Sequence, residues 1–343
     1  MGDSPAPLVS VVIPAYNAER TIGETLAALA AQRLDAPWEI LVCDNGSSDD
    51  TAGVIDEWRD RLPPVTIVDA SHRRGPSAAM NTGARTSRAE FLVYCDADDV
   101  VADDWLETFV EALRTTPYVG GHVEYDRLRA EGSISVSWND AGPFVFTLPA
   151  MPGLAATGSG NFGIRRDLYL EVGGFEEALE SCEDADFSWR VQLTGAPLVI
   201  CDTMYHVRTR QSLRSIARQG YHWGAYQPTL RRRWALVAAA VADDAAAAPA
   251  AAGTAASSTP PAEAERRPNP IVRYSRTIAR RIREGRVRSL AADVTWQTAH
   301  RLGRTFGKVD ESVEQIPASP AIAARVRELR ADPWRTAGSE RTV

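Results

Sequence analysis

Short β-branched runs alternate with amphipathic segments through the N-terminal part of the chain. Four apolar runs predict buried strands, and they lie at Leu8–Ile13, Trp38–Val42, Val65–Val68 and Phe91–Cys95. The segments that separate and follow them carry apolar residues at helical spacing, as in Thr51–Leu62. This alternation predicts an α/β fold with a parallel, doubly wound sheet. Ligands of such sheets bind at the carboxyl ends of the strands.

Two aspartates directly follow predicted strands. Asp44 comes after the second strand, and Asp96 comes after the fourth. The carboxyl ends of parallel strands meet at one edge of the sheet, where ligands bind. We therefore expect Asp44 and Asp96 to lie at the same edge, although they are far apart in the sequence.

The rest of the chain has a different pattern. A helix is predicted over Ser181–Leu193 and a strand over Pro197–Cys201. The composition then changes to Ala, Pro, Ser, Thr and Glu, which cannot bury a core. We predict three parts, namely a folded domain over residues 1–235, an Ala/Pro-rich linker over 236–270 and a basic helical region over 271–343.

The basic region contains a candidate amphipathic helix, Ile271–Arg283. On a helix its isoleucines and Tyr274 form one stripe, and most of its arginines lie on the opposite side. Such a helix can lie on an anionic membrane surface. Alternatively, the stripe packs on the folded domain and the arginines are solvated. The sequence leaves both interpretations open.

Charge and cysteine content narrow the class of protein. The formal net charge of −7 disfavours binding to nucleic acid. The four cysteines have no metal-binding spacing, which favours a reducing cytoplasm. No charged-then-apolar leader begins the chain, and no apolar stretch reaches the roughly 20 residues that span a bilayer. We expect a cytoplasmic protein, and the membrane interpretation of the basic helix adds peripheral contact at the inner face of the cell membrane.

Asp96 and Asp98 give the sharpest chemical signal. Two carboxylates one residue apart at a strand end repel each other unless a cation joins them. Mg²⁺ and Mn²⁺ prefer oxygen ligands, including diphosphate oxygens. The pair therefore predicts a site for one of these ions, and the alternative is a solvated acidic turn that caps the next helix.

Three further residues each allow a functional and a structural interpretation. Asp44 can accept a hydrogen bond from a base or a ribose, or it can form an Asx turn with Gly46 in a left-handed conformation. Asp184 can act as a general base, or it can form a capping box with Ser181. His206 can complete a metal site, or its role can be purely structural.

Six short motifs occur in the order found in glycosyltransferase family 2, and the chain resembles that family over about residues 8–225. The motifs are P-A-Y-N at 14–17, D-N-G-S-S-D at 44–49, G-P-S-A-A-M-N-T-G at 75–83, D-A-D at 96–98, G-G-F at 173–175 and E-D at 183–184. Each motif is weak alone, whereas the ordered set is specific. The resemblance implies a GT-A fold with a doubly wound mixed sheet flanked by helices, followed here by a C-terminal helical appendage.

The resemblance also implies an activity. Family members of this kind are inverting, non-processive and metal-dependent, and they use Mn²⁺ or Mg²⁺. The expected partners are a nucleotide-diphosphate-sugar donor and an acceptor with a free hydroxyl, such as a lipid-linked one. The expected context is glycan, glycolipid or cell-envelope biosynthesis.

Residue roles carry over from the family by position. Asp184 would be the catalytic base, and Asp98 and His206 would bind the metal ion. Donor-nucleotide contacts are implied for Pro14, Tyr16, Asn17, Glu19, Asp44, Asn81 and Asp96. The remaining candidates for contacts with donor or acceptor are Glu183, Trp189 and Arg190, the last two with packing or solvent exposure as the alternative.

One family position differs in this chain. Met80 stands where the family commonly has arginine, so a contact to the donor must come from another side chain. Arg73, Arg74 and Arg85 are the candidates. The Q-x-x-R-W motif of processive polymer synthases does not occur in the sequence.

Two other functions stay open at this stage. A sugar nucleotidyltransferase would carry a glycine-rich loop after the first strand, where this chain has Pro14–Asn17. A degenerate family member could serve as a scaffold without catalysis. The presence of both Asp98 and Asp184 argues against that alternative.

Overall fold

The computed structural model describes residues 6–129, 136, 141–247 and 287–337. The strands are β1 Val9–Ala15, β2 Trp38–Asp44, β3 Val65–Asp69, β4 Phe91–Cys95, β5 Val100–Val101, β6 Tyr118–Glu124, β7 Gly142–Pro143, β8 Val145–Phe146, β9 Ala156–Thr157, β10 Asn161–Arg165, β11 Val199–His206 and β12 Arg335–Thr336. The helices are α1 Ile22–Ala30, α2 Thr51–Trp58 with a 3₁₀ turn at Arg59–Arg61, α3 Pro76–Thr86, α4 Trp105–Thr115, α5 Arg166–Glu171, α6 Glu183–Leu193, α7 Leu213–Arg233, α8 Ala235–Ala247, α9 Val287–Phe306 and α10 Pro320–Ala331.

Ten of the strands in the described ranges form one mixed sheet. Its main order is β12-β11-β6-β10-β4-β1-β2-β3, with β5 beside β11 and β7 beside β6. Strands β1 to β4 are parallel, so the prediction that Asp44 and Asp96 share an edge is confirmed. Strand β10 runs antiparallel between β4 and β6, so the sheet is mixed rather than fully parallel.

Alternate residues of β1 enter two separate cores, because successive side chains of a strand point to opposite faces. Val11 and Ile13 pack with α1, α2 and α4 on one face, and Val12 packs with α3, α5 and α6 on the other. Both faces of the sheet are therefore covered by helices. This double layer fixes the strand ends to which the site residues are attached.

The C-terminal helices pack on this domain. Helices α7 and α9 approach backbone to backbone, and a Cβ added to Gly224 would collide with the carbonyl group of His300. Strand β12 extends the main sheet beside β11. Within the described ranges, no helix combines the length and apolar content needed to cross a membrane.

Helix α8 corrects the predicted start of the linker. The composition placed the linker from residue 236, but Val237 and Val241 are buried in one cluster with Val326 of α10. The alanines that suggested a linker form a helix instead, because alanine has the highest helix propensity. Residues 248–270 and the predicted amphipathic helix Ile271–Arg283 lie outside the described residues.

Asp186 joins α6 to the C-terminal helices. Its carboxylate is fully buried. One oxygen accepts hydrogen bonds from Arg233 Nε at 2.6 Å and Trp234 Nε1 at 2.9 Å, and the other accepts from Arg190 Nε at 2.8 Å. A buried charge with this many donors is compensated, and removing it takes the carboxylate from Arg190 and leaves Arg233 with Glu176 as its remaining ion pair.

We predict that Asp186→Ala lowers the free energy of unfolding by about 3–5 kcal/mol, the cost of breaking a buried ion pair. Urea unfolding followed by tryptophan fluorescence measures it. The control is Asp56→Ala, which removes an exposed carboxylate 2.6 Å from Arg59 in the adjoining turn and should cost about 1 kcal/mol or less. Equal losses in the two variants would show that Asp186 does not hold the helices together.

Candidate active site

The loops that follow β1 and β2 are joined by reciprocal hydrogen bonds. Asn17 N donates to Ser47 Oγ at 2.9 Å, and Ser48 N donates to Asn17 Oδ1 at 2.8 Å. Glu19 N donates to the Asp49 carboxylate at 3.1 Å. Asn17, with a φ of 50°, lies in the left-handed region that asparagine tolerates. The side chain of Asn17, a predicted nucleotide contact, thus braces the loop.

The next loop is held by Asn45, which is buried. Its Nδ2 donates to the carbonyl oxygens of Ala70 at 2.7 Å and Arg73 at 2.8 Å, and its Oδ1 accepts from Gly75 N at 2.8 Å. One side chain therefore fixes the β3–α3 loop against the β2–α2 loop. Sequence reasoning did not single out Asn45 as a site residue.

Asp44 forms the predicted Asx turn. Its Oδ1 accepts a hydrogen bond from Ser47 N at 3.1 Å, and Gly46 has a φ of 84°. The side chain is half-buried at the carboxyl end of β2. The structural interpretation is confirmed, and the carboxylate keeps lone pairs for a ligand.

Tyr16 presents an exposed ring at the same edge. Its side chain is 49% exposed, and the Arg74 guanidinium lies 5.3 Å from the ring centroid. Arg74 Nη2 also donates to the Tyr16 hydroxyl at 2.7 Å. Pro14, half-buried in β1, leads into this loop. An aromatic face with an adjoining guanidinium can contact a base or an anionic group.

Asp96, Asp98 and Asp99 form an acidic cluster after β4, with carboxylate oxygens within 4.8 Å of one another. Burial and the charge of Asp98 raise the pKa of Asp96 to about 7. Burial, together with the other two carboxylates, raises the pKa of Asp99 well above its usual range. Helix α4 begins only at Trp105, so the alternative of a turn that caps this helix is wrong.

Strand β10, which lies beside β4 in the sheet, shapes the surroundings of Asp96. Because β10 is antiparallel to β4, its first residue, Asn161, pairs with Cys95 at the end of β4. Gly160 then lies against Asp96, and a Cβ at this position would collide with the carboxylate. Asp96 N donates to the hydroxyl of Tyr205 at 2.8 Å.

The segment after β11 closes the cluster from the other side. Arg208 N donates to Asp99 Oδ1 at 2.6 Å, and Arg208 Nε donates to the Asp98 carbonyl at 3.0 Å. Arg210 Nη1 lies 3.8 Å from Asp98 Oδ2. Sequence reasoning missed Asp99, although it directly follows the D-x-D motif, and no local signal pointed to Arg208 or Arg210.

The structure does not bring His206 to the acidic cluster. Its Nδ1 pairs with the Glu124 carboxylate, and its Nε2 lies 2.8 Å from Arg127 Nη1. Both ring nitrogens therefore have partners, one at the end of β6 and one in the segment that follows it. In the described part of the chain, Asp99 rather than His206 lies with Asp96 and Asp98 in the group of side chains that could hold a metal ion.

Asp184 and Glu183 begin helix α6. The N-cap is Cys182 in a left-handed conformation, with no side-chain cap hydrogen bond, so the predicted capping box with Ser181 is wrong. Burial raises the pKa of Asp184 to about 6, although hydrogen bonds from backbone N–H groups oppose the rise. Burial and the charge of Asp184 raise the pKa of Glu183 to about 8.

These two carboxylates face the acidic cluster. The charge of Asp184 contributes to the raised pKa of Asp96, and the charge of Asp96 contributes to that of Glu183. Ser159, in the turn that precedes β10, donates to Glu183 at 3.4 Å. A carboxylate with a pKa near 6 is suited to accept a proton at neutral pH.

Three predicted ligand contacts are structural. Asn81 is buried, and its Oδ1 accepts from Tyr169 Oη at 2.6 Å and Phe175 N at 2.8 Å. Trp189 is fully buried and donates to the Leu154 carbonyl at 3.2 Å. Arg190 binds the carbonyl oxygens of Val172 and Gly174 as well as Asp186. Arg190 and Asn81 thus hold the G-G-F turn, and none of the three is left to contact a ligand at this edge.

Comparison with known proteins identifies the fold and the family. Residues 10–173 match the model of "Glycosyl transferase family 2". This segment belongs to glycosyltransferase family 2. Mannosyltransferase PcManGT from Pyrobaculum calidifontis superposes with a TM-score of 0.54 over 89% of each chain at 21% identity, which supports the GT-A fold.

Curated members of the family match part of the chain. It is 29% identical over 196 residues to glycosyltransferase AglE of Haloferax volcanii, covering 56% of this chain and 63% of the relative. It is 34% identical over 106 residues to UDP-Glc:alpha-D-GlcNAc-diphosphoundecaprenol beta-1,3-glucosyltransferase WfgD of Escherichia coli, covering 31% of this chain and 41% of the relative. The chain thus spans less than two thirds of the length of either relative.

The family position occupied by Met80 lies in the core. Met80 is 1% exposed and packs with the α3 side of the sheet. Of the three arginines considered as substitutes for the family's arginine, Arg74 lies beside Tyr16, a predicted nucleotide contact. Arg85 lies 3.6 Å from Glu177. Arg74 is therefore the cation best placed to replace the arginine of family 2.

We predict that Asn81→Ala lowers the free energy of unfolding by about 1–3 kcal/mol, because it leaves buried donors without an acceptor. Nucleotide affinity of the folded protein should stay unchanged. Thermal unfolding and calorimetric titration with UDP and GDP measure the two effects. The control is Thr82→Ala, which removes two hydrogen bonds within α3, one to the Ala78 carbonyl and one from Arg85. A loss of affinity without a loss of stability would restore Asn81 as a nucleotide contact.

Proposed function

We propose that this chain is a metal-dependent, inverting glycosyltransferase that moves a sugar from a nucleotide-diphosphate-sugar to an acceptor hydroxyl. The observation that carries the proposal is the grouping of Asp96, Asp98 and Asp99 at a strand end, electrostatically coupled to Asp184. Membership of residues 10–173 in glycosyltransferase family 2 agrees with it. Sugar transfer of this kind needs carboxylates that hold a cation and a separate carboxylate that accepts a proton, and this site offers both.

The acidic cluster fits a divalent cation. Three carboxylates within 4.8 Å of one another supply hard oxygen ligands, and a cation between them would relieve their mutual repulsion. We propose Asp98 as the main protein ligand of Mn²⁺ or Mg²⁺, with Asp96 and Asp99 beside it. When bound, such an ion neutralises the charge that develops on a departing diphosphate.

Asp184 is proposed as the general base. It takes the proton from the acceptor hydroxyl as that oxygen forms a bond with the anomeric carbon of the donor sugar. The bond from this carbon to the diphosphate breaks, and its electron pair leaves with the nucleoside diphosphate. Because the hydroxyl attacks from the side opposite the leaving group, the configuration at the anomeric carbon is inverted.

The nucleotide is proposed to bind over the loops that follow β1 and β2. Tyr16 and Arg74 supply an exposed aromatic ring and a cation, and Asp44 supplies an acceptor for a base or ribose. Asn17 and Glu19 are proposed to act by holding these loops in register. Pro14 lines the start of this surface.

The named relatives support the classes of donor and acceptor. WfgD is named as using UDP-Glc and a GlcNAc-diphosphoundecaprenol acceptor. The PcManGT structure contains GDP-Man and Mn²⁺. Because these donors differ in base and sugar, we propose for this chain only their shared class, a nucleotide-diphosphate-sugar. A lipid-linked acceptor in cell-envelope biosynthesis is proposed on the same grounds.

Contact with a membrane stays a prediction. It depends on the helix Ile271–Arg283, which lies outside the described residues. A cytoplasmic location with peripheral attachment would bring the enzyme to a lipid-linked acceptor. We propose the cytoplasmic location and the peripheral attachment from the sequence.

The first prediction from this function concerns the metal. Asp98→Ala should lower sugar transfer at least about 100-fold, because Lewis-acid stabilisation contributes several kcal/mol. Calorimetric titration with UDP, GDP and dTDP, with and without Mn²⁺, should show that metal-dependent nucleotide binding is also lost. The control is Asp103→Ala, a nearby exposed aspartate. Full activity of the wild type in excess EDTA would overturn the metal dependence.

The second prediction concerns the base. Asp184→Asn should lower kcat about 10²- to 10⁴-fold with little change in nucleotide affinity. Since the ionised carboxylate is needed and its pKa is raised to about 6, wild-type kcat should fall as the pH drops below about 6. Steady-state kinetics across pH measure both effects.

A matched control separates base catalysis from helix capping. Asp167 also lies in the first turn of a helix and accepts the N–H of the next residue, Leu168, at 2.7 Å, as Asp184 does from Ala185 at 2.8 Å. Asp167→Asn should therefore leave kcat unchanged. If Asp184→Asn only lowers the melting temperature and keeps kcat, Asp184 is not the base.

A further inference from the structure

A groove of about 710 Å³ lies where the β3–α3 loop and the turn before α6 meet α7 and the segment after α9. Arg73 of the β3–α3 loop and Glu180 of the turn before α6 line one side. Tyr226 of α7, Lys308 and Asp310 line the other. The groove is therefore built by segments that are far apart in the sequence, and of its lining residues the family model covers only Arg73.

The walls are polar and carry unpaired charges. Neither Arg73 nor Lys308 has an ion pair within 4 Å or a side-chain hydrogen bond to any residue that the structure describes. Hydrogen bonds from Ser312 lower the pKa of Asp310, so this carboxylate is ionised at neutral pH. Tyr226 contributes a half-buried aromatic ring between these charges.

Hydrogen bonds link the lining of the groove to the segment before Asp184 and to the loops that follow β2 and β3. His222 Nε2 lies 3.1 Å from the Glu180 carbonyl, and the Cys182 thiol donates to the Trp223 carbonyl at 3.8 Å. These contacts fix α7 against the segment that leads into Asp184. On the same side of the groove, the Arg73 carbonyl accepts a hydrogen bond from Asn45 of the β2–α2 loop.

We infer that this groove binds a saccharide portion of the acceptor, away from the hydroxyl that reacts. The inference rests on the proposed glycosyltransferase function and names a second binding site for it. Sugar hydroxyls both donate and accept hydrogen bonds, so a lining that mixes carboxylates with unpaired cations can satisfy them. The apolar face of a sugar ring packs on an aromatic side chain such as Tyr226.

Saturation-transfer NMR with four defined probes tests the inference on the full chain. The probes are chitotetraose, cellotetraose, mannotetraose and trigalacturonate. The variants are Tyr226→Ala, which removes the ring, and Lys308→Ala, which alters only an exposed side chain and is safe for folding. The control is Arg301→Ala, an exposed cation of α9 that does not line the groove.

We expect at least one saccharide to bind the wild type and the control, with about tenfold weaker affinity in both groove variants. Nucleotide binding in Mn²⁺ should be equal in all four proteins. Absence of binding by every probe, equal binding in all variants, or complete displacement by inorganic phosphate would overturn the inference. Loss of nucleotide binding in the wild type would instead count against the proposed function, so the two failures are distinguishable.

Discussion

The crowding of three carboxylates at the carboxyl end of β4 is the constraint on which the site depends. Asp96, Asp98 and Asp99 lie within 4.8 Å of one another, and burial together with mutual repulsion raises the pKa of Asp96 and Asp99. Such a cluster persists only where the surrounding fold is rigid enough to hold it. The two cores on either face of the sheet provide that rigidity, and a bound cation would relieve the repulsion.

Hydrogen-bond donors from distant segments offset part of this repulsion. Arg208 N donates to Asp99, and a side-chain hydrogen bond from Tyr205 also lowers the pKa of Asp99. Both residues come from β11 and the segment after it, whereas Gly160 comes from the turn before β10. The antiparallel course of β10 brings that turn to the same edge as the end of β4. The order and direction of the central strands therefore determine what surrounds the acidic cluster.

The C-terminal helices help to position the proposed catalytic base. Asp186 is two residues beyond Asp184 on α6, and its buried carboxylate binds Arg233 and Trp234 at the end of α7. The helix that presents the proposed base is thus tied to a segment that the family model does not cover. The groove between these parts follows from the same packing.

The strand–helix alternation and the shared edge of Asp44 and Asp96 could be predicted from the sequence, because they depend on local periodicity, and the ordered motifs pointed to the family that residues 10–173 match. The sequence could not determine which motif residues face a ligand. Asn81 and Trp189 satisfy buried polar groups and fill the core, and His206 pairs with Glu124. In each case the hydrogen-bonding partner lies far away in the sequence, so the local pattern does not reveal it. Asp99 and Tyr205 belong to the site because tertiary contacts that the local sequence does not show bring them together there. Only the tertiary structure, through the antiparallel insertion of β10 and the packing of α7, decided which of these side chains meet.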